Sequence, residues 1–162
     1  MSFEITEEYY VPPEVLFNAF TDAYTLTRLS RGSLAEVDLK VGGKFSLFSG
    51  SILGEFTEIT KPHKIVEKWK FRDWNECDYS TVTVEFISVK ENHTKLKLTH
   101  NNIPASNKYN EGGVLERCKN GWTQNFLHNI EVILGYPKKK KKKKKKKTKN
   151  IKDEDIVRFI RK

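Results

Sequence analysis

From about Ala35 to Asn102 apolar and polar residues alternate with a period of two, and after Ile103-Pro104 the apolar spacing changes to three and four. That switch confines the chain to one kind of architecture: a run of antiparallel strands followed by one long helix. The strand-like segments are Ala35 to Asp38, Lys44 to Phe48, Ser51 to Ile59, Lys64 to Phe71, Ser80 to Val89 and Lys95 to His100. Several connections carry hairpin residues: Val41-Gly42-Gly43, Ser49-Gly50, Lys61-Pro62-His63 and Glu91-Asn92. The clearest alternation sets Val82, Val84 and Phe86 against Thr81, Thr83 and Glu85, and Leu96 and Leu98 against Lys95, Lys97 and Thr99. One face is buried and one is wet.

The helix is expected from Glu111 to Leu134, with Leu115, Cys118, Trp122, Phe126, Ile130, Ile133 and Leu134 forming a stripe wide enough to cover a sheet. Gly135 and Pro137 end it. Ahead of the sheet, Ser2 to Tyr10 reads as a first strand. Pro12-Pro13 then opens a short helix from Glu14, and a second runs from Asp22, its N-cap, to Leu29, closed by Gly32. The expectation is an α+β fold in which a curved antiparallel sheet of six to seven strands wraps the C-terminal helix, with two short helices after the first strand. A length of 162 residues suits one domain, here 1–137.

The formal charge of +9 would suggest a nucleic-acid or membrane binder, but it is unevenly spread. Residues 1–137 hold 15 Lys and Arg against 18 Asp and Glu, whereas 138–162 hold 15 against 3. The body is mildly acidic, so no DNA partner is expected of it. The basic character sits in a low-complexity linker over 138–150, which opens with ten lysines from Lys138 to Lys147. That run fits a weak contact with anionic lipid, RNA or an acidic protein segment, a nuclear-import signal, or an expansion without a role. Over 151–162, Asp153 to Asp155 precede Ile156, Val157, Phe159 and Ile160, with Arg158, Arg161 and Lys162 behind. A short helix with dipole-matched ends is expected there.

Cys77 and Cys118 lack the close pairing of a zinc site or a redox CxxC motif. No apolar run reaches the roughly 20 residues of a membrane span, and the N-terminus lacks the pattern of a secretory signal, so a soluble cytoplasmic protein is expected. The histidines His63, His93, His100 and His128 show neither HxH nor HExxH spacing. Gly42-Gly43-Lys44 is followed by Phe45 where a P-loop needs Ser or Thr. The expectation is no catalytic activity of its own and no cofactor.

Several segments together resemble one family. They are Val41-Gly42-Gly43-Lys44-Phe45, Gly54-Glu55-Phe56-Thr57-Glu58-Ile59 and His63 through Trp74, followed by Tyr79 through Val84, Ile103-Pro104, Gly121-Trp122 and Gly135-Tyr136. In this order they resemble the C-terminal domain of the activators of the heat shock protein 90 ATPase, over nearly all of Ser2 to Tyr136. The resemblance implies the helix-grip fold of START and birch-pollen-allergen-like domains, and a co-chaperone that binds the heat shock protein 90 chaperone and modulates its ATPase by favouring its closed state. Full-length activators carry a further N-terminal domain for which this chain has no room, so binding is expected more than strong stimulation. The same fold also implies an alternative, a carrier of a hydrophobic small molecule or lipid.

Within that frame, strand 65–71 places Ile65, Trp69 and Phe71 on one face and Val66, Lys68, Lys70 and Arg72 on the other. Lys68, Lys70 and Arg72 form a candidate docking strip for an acidic chaperone surface; the alternative is a solvated face with cross-strand partners such as Glu55, Thr83 and Glu85. Trp74, where the chain leaves the sheet, is a candidate interface anchor or a side chain folded over the sheet edge. Phe45, Trp69, Phe71, Phe86, Trp122 and Phe126 are expected to fill the space between sheet and helix, with no polar group converging on a cavity.

Overall fold

A computed structural model describes residues 1–140, so the rest of the lysine run and the helix expected over 151–162 lie outside the described residues. Seven strands form one antiparallel sheet: Phe3–Tyr9 (β1), Glu36–Val37 (β2), Lys44–Leu47 (β3), Ile52–Thr60 (β4), Lys64–Phe71 (β5), Ser80–Lys90 (β6) and His93–Asn101 (β7). Their order is β1-β7-β6-β5-β4-β3-β2. From β3 onward each strand pairs with its predecessor, whereas β1 reaches its place by pairing with β7, from Phe3 opposite His100 to Tyr9 opposite Thr94. Helices Pro13–Thr21 (α1) and Ala23–Leu29 (α2) carry the chain from one sheet edge to the other. Register shifts between Phe56 and Glu58 and between Ser88 and Lys90 add bends to the pleat.

The period-two alternation does what it predicts. Ser80, Val82, Val84 and Phe86 of β6 and Leu96, Leu98 and His100 of β7 are buried, while the residues between them are partly or fully exposed. Gly54 has a packing reason: a Cβ there would collide with the Phe45 ring, which lies across β4. Asp22 caps α2 as expected, its carboxylate accepting from the Thr25 N–H at 2.9 Å and the Thr25 hydroxyl at 2.7 Å. Asp22→Ala is expected to cost about 1 kcal/mol, measured as a lower denaturation midpoint in urea with an unchanged slope.

The long helix starts later than expected. Asn107 folds residues 107–111 into a turn, its side-chain oxygen accepting from the Tyr109 and Glu111 N–H groups at 2.9 and 3.0 Å, and Gly113 is left-handed at φ 75°. The helix therefore begins at Val114 and comprises Val114–Asn120 (α3), a π-helical stretch Gly121–Leu127, and His128–Val132 (α4). The His128 N–H reaches back five residues to the Thr123 carbonyl, which widens the helix in its middle. Side chains satisfy neighbouring carbonyls: the buried Tyr9 hydroxyl donates to Leu127 O at 3.0 Å, and the Asn129 amide donates to Asn125 O at 2.8 Å and Leu29 O at 3.1 Å. Gly135, left-handed at φ 73°, terminates the helix.

The chain then returns to the free edge of β1. The Tyr10 N–H donates to Pro137 O at 2.7 Å and the Lys139 N–H to Glu8 O at 2.8 Å, with Tyr9 and Lys138 bridged between them. Lys138 pairs with Glu7 at 3.3 Å and Lys139 with Glu8 at 3.5 Å. The first lysines of the run are thus fastened to the sheet. No helix among the described residues is long and apolar enough to cross a membrane.

Candidate functional site

The outward strip on β5 is only partly available. Lys68 and Arg72 are exposed, but Lys70 is 6% exposed. The β5–β6 connection folds back over this end of the sheet and is clasped by the Lys70 ammonium, which donates to Asn75 O at 2.9 Å and Glu76 O at 3.3 Å and lies 5.3 Å from the Tyr79 ring centre. Lys70 therefore leaves the docking strip, because an outward position on a strand is exposed only where no loop covers it. Trp74 is corrected likewise. It is 1% exposed and packs edge-on against Trp69 and Phe71, with centroids 5.6 and 6.0 Å away, so it closes the core rather than anchoring an interface. Lys68 faces Glu55 on β4 and Thr81 on β6, beside an open groove of about 740 Å³ whose walls include Lys44, Leu53 and Tyr79.

Inside, β6 and β7 bring Ser80 and His100 together, a pairing invisible to a search for local motifs. His100 Nε2 lies 2.7 Å from Ser80 Oγ, which could resemble the start of a nucleophilic triad. The hydrogen-bond directions say otherwise. The Trp122 indole N–H can only donate, and it donates to His100 Nδ1 at 3.1 Å. A neutral ring must then carry its proton on Nε2 and donate to Ser80, whose own hydroxyl donates to Trp69 O at 2.7 Å. Burial pushes the His100 pKa down to about 3, which keeps the ring neutral. The chain Trp122–His100–Ser80–Trp69 is a polar rivet joining helix to sheet. The serine oxygen has no base to activate it.

Phe45, Trp69, Phe71, Phe86, Trp122 and Phe126 are all buried in the core between sheet and helix, as expected, but they leave space at the end of the sheet near the β3–β4 turn. A cavity of about 210 Å³ opens between the β3–β4 turn, with Leu47, Phe48 and Ile52, and the π-helical turn, with Gly121, Trp122 and Asn125. The widened helix forms one wall. The β3–β4 turn opposite it has three successive left-handed residues, Phe48 at φ 50°, Ser49 at 53° and Gly50 at 87°, a conformation that a bulky Phe rarely adopts. Deeper in lies a second cavity of about 10 Å³, sharing Leu47, Trp122 and Phe126 with the first.

Glu67 lines this inner cavity and is 5% exposed. Sequence reasoning missed it, although the parity of β5 makes it an inward residue between Ile65 and Trp69. Its cross-strand neighbours are Phe56 and Val82, and burial alone raises its pKa to about 8. Among the described residues no His, Cys, Asp and Glu side chains gather as a metal site, and Cys77 and Cys118 are free thiols.

A curved antiparallel sheet gripping a C-terminal helix, with a cavity between them, defines a helix-grip protein of the START-like class. The chain belongs to the "Activator of Hsp90 ATPase homolog 1-like protein" family, whose model matches residues 10–135. Among its relatives is the human "Activator of 90 kDa heat shock protein ATPase homolog 1", 31% identical over 132 residues that cover 82% of this chain and 36% of the human protein. The "Hsp90 co-chaperone AHA1" of Saccharomyces cerevisiae is 26% identical over 139 residues, covering 83% of this chain and 38% of its own length. The chain thus spans little more than a third of the curated relatives it matches. Solved structures share the fold: CalU16 of Micromonospora echinospora at a TM-score of 0.64 and 22% identity, covering 82% of this chain and 75% of that one, and the Aha1 dimer of Colwellia psychrerythraea at 0.63 and 14%, covering 82% and 96%.

Proposed function

We propose that this domain is a non-enzymatic co-chaperone module that binds Hsp90 in the cytoplasm and stimulates its ATPase. The observation that carries the reading is the 31% identity with the human activator over 132 residues, a span long enough to take in most of the sheet and the gripped helix. A binding protein raises the rate of a slow conformational cycle only by holding the competent state more tightly than the resting one. Hsp90's closed form is the state this domain is expected to select. Lys68 and Arg72, exposed on a body whose residues 1–137 are otherwise mildly acidic, are the docking cations, steering the domain onto acidic chaperone surface. The lysine run adds a weaker, salt-sensitive attraction to anionic surfaces such as lipid or RNA.

The test is the steady-state ATPase rate of Hsp90 titrated with the full chain and with a chain ending at Lys140, which keeps the two lysines that pair with β1. Both are expected to bind and to raise the rate. Failure of both to bind at low salt would overturn the reading. Reversing Lys68 and Arg72 together to Glu should weaken binding about three- to tenfold, with less salt dependence and an unchanged Tm. Lys70→Glu, by contrast, should lower the Tm, because it releases the β5–β6 connection.

A further inference from the structure

The inner cavity is polar at a single point. The surrounding side chains include Phe20 of α1, Leu26 of α2, Phe45 and Phe56 of the sheet, and Trp122, whose only N–H is engaged by His100. Against them sits the Glu67 carboxyl, 5% exposed, with burial the only influence on its titration and no hydrogen bond or ion pair among the described residues. A carboxyl group in such a place opposes folding at neutral pH and adds nothing to packing that a methionine would not. A strongly perturbed carboxyl that faces a cavity is a candidate binding group. A buried water is a poor explanation, since it needs two to four polar partners and this wall offers one.

The size of the space is informative. About 10 Å³ beside the carboxyl admits one water-sized group and no more, while the adjoining space of about 210 Å³ is largely apolar and shares Leu47, Trp122 and Phe126 with it. A ligand that fits both has a compact head and an apolar body. Phe20, Phe45, Phe56, Trp122 and Phe126 line the head position, and aromatic rings attract cations. We propose that Glu67 is the anchor of a binding site for a small organic amine, whose ammonium group sits beside the carboxylate while its apolar body occupies the cavity between the β3–β4 turn and the π-helical turn.

In the free protein at neutral pH Glu67 keeps its proton, because burial holds its pKa near 8. The amine arrives as an ammonium ion, Glu67 becomes the carboxylate that pairs with it, and the carboxyl proton passes to solvent. One proton is released per ligand bound. Among the described residues no other titratable side chain lines the inner cavity from the sheet, from α1 and α2, or from the helix, so that proton belongs to Glu67. The π-helical turn contributes Trp122 and Phe126 to the lining of both spaces.

Isothermal titration of the full chain with 2-phenylethylamine, 2-phenylethanol and 3-phenylpropanoate tests this at pH 6.5. The amine is expected to bind at least tenfold more tightly than the alcohol, and the heats in buffers of different ionisation enthalpy should report about one proton released. Binding of 3-phenylpropanoate alone would show the lysine run attracting an anion and would overturn the proposal. In Glu67→Gln, which should remain folded with a higher Tm, amine and alcohol should bind alike and without proton release. Amine binding that is absent up to millimolar concentration, unchanged by Glu67→Gln, or unaccompanied by proton release would each overturn it. The Hsp90 reading rests on the outer face and on the family, so its ATPase assay stands or falls separately.

Discussion

Glu67→Gln is expected to make the domain more stable, by an amount that grows from nothing near pH 4 to about 3 kcal/mol at pH 7. The native carboxyl, 5% exposed, has its pKa raised from 4.5 to about 8 by burial. A group whose pKa is higher in the folded state contributes its full stability below the unfolded value and loses it as pH rises through the folded one. Between those limits the unfolded chain gives up a proton that the native chain retains, so unfolding gains about 1.4 kcal/mol per pH unit. Glutamine keeps the shape and a comparable neutral polarity but cannot ionise, so its advantage is the whole of that linkage. Urea denaturation of both proteins at pH 4.5, 6 and 7.5 checks it; parallel stability curves would show that the carboxyl is solvated after all. Glu67→Met should stabilise further, because it also puts an apolar side chain on a largely apolar wall.

The second large effect has the opposite pH dependence. His100→Ala is expected to cost about 3 to 5 kcal/mol, since it leaves a cavity among Phe3, Trp69 and Trp122 and strips partners from the Trp122 N–H and the Ser80 hydroxyl. Burial lowers the folded pKa of His100 from 6.5 to about 3. Above pH 6.5 the ring is neutral in both states and titration contributes nothing. As pH falls below 6.5 only the unfolded chain takes up the proton, so stability is lost toward pH 3, about 2 kcal/mol of it by pH 5. The gap between parent and His100→Ala should therefore narrow on acidification. Between pH 4.5 and 6.5 the contributions of Glu67 and His100 cancel in the parent. Glu67→Gln exposes the histidine slope, and His100→Ala exposes the glutamate slope.

Much of the fold was legible because its two periods are clean. The alternation in β6 and β7 identifies the buried face residue by residue, the turn residues divide the strands, and Asp22 and Gly135 mark the helix ends where the structure has them. The unread parts share one cause: they depend on what lies across from a residue rather than on its neighbours in sequence. Lys70 sits at an outward position, and its burial comes from a loop that folds back over it. Trp74 looks exposed only until Trp69 and Phe71 are known to flank it. Ser80 and His100 lie 20 residues apart and meet only through the β6–β7 register. The π-helical turn breaks a period that a stripe of Cys118, Trp122, Phe126 and Ile130 imitates well. Glu67 could have been found, since strand parity alone places it inward; an acidic residue at an inward position is the signal.

The attachment of Pro137 to Lys139 along the edge of β1 determines how the molecule bears load. If the tail is held by a surface or a partner, tension does not reach the gripped helix first. It reaches two backbone hydrogen bonds, Lys139 to Glu8 and then Tyr10 to Pro137, arranged so that they open one after the other like a zip rather than sharing the force. Their two ion pairs, Lys139 with Glu8 and Lys138 with Glu7, part in the same sequence. The tail is thus a tether with a weak first stage, yielding length at low force while the sheet and its helix stay closed.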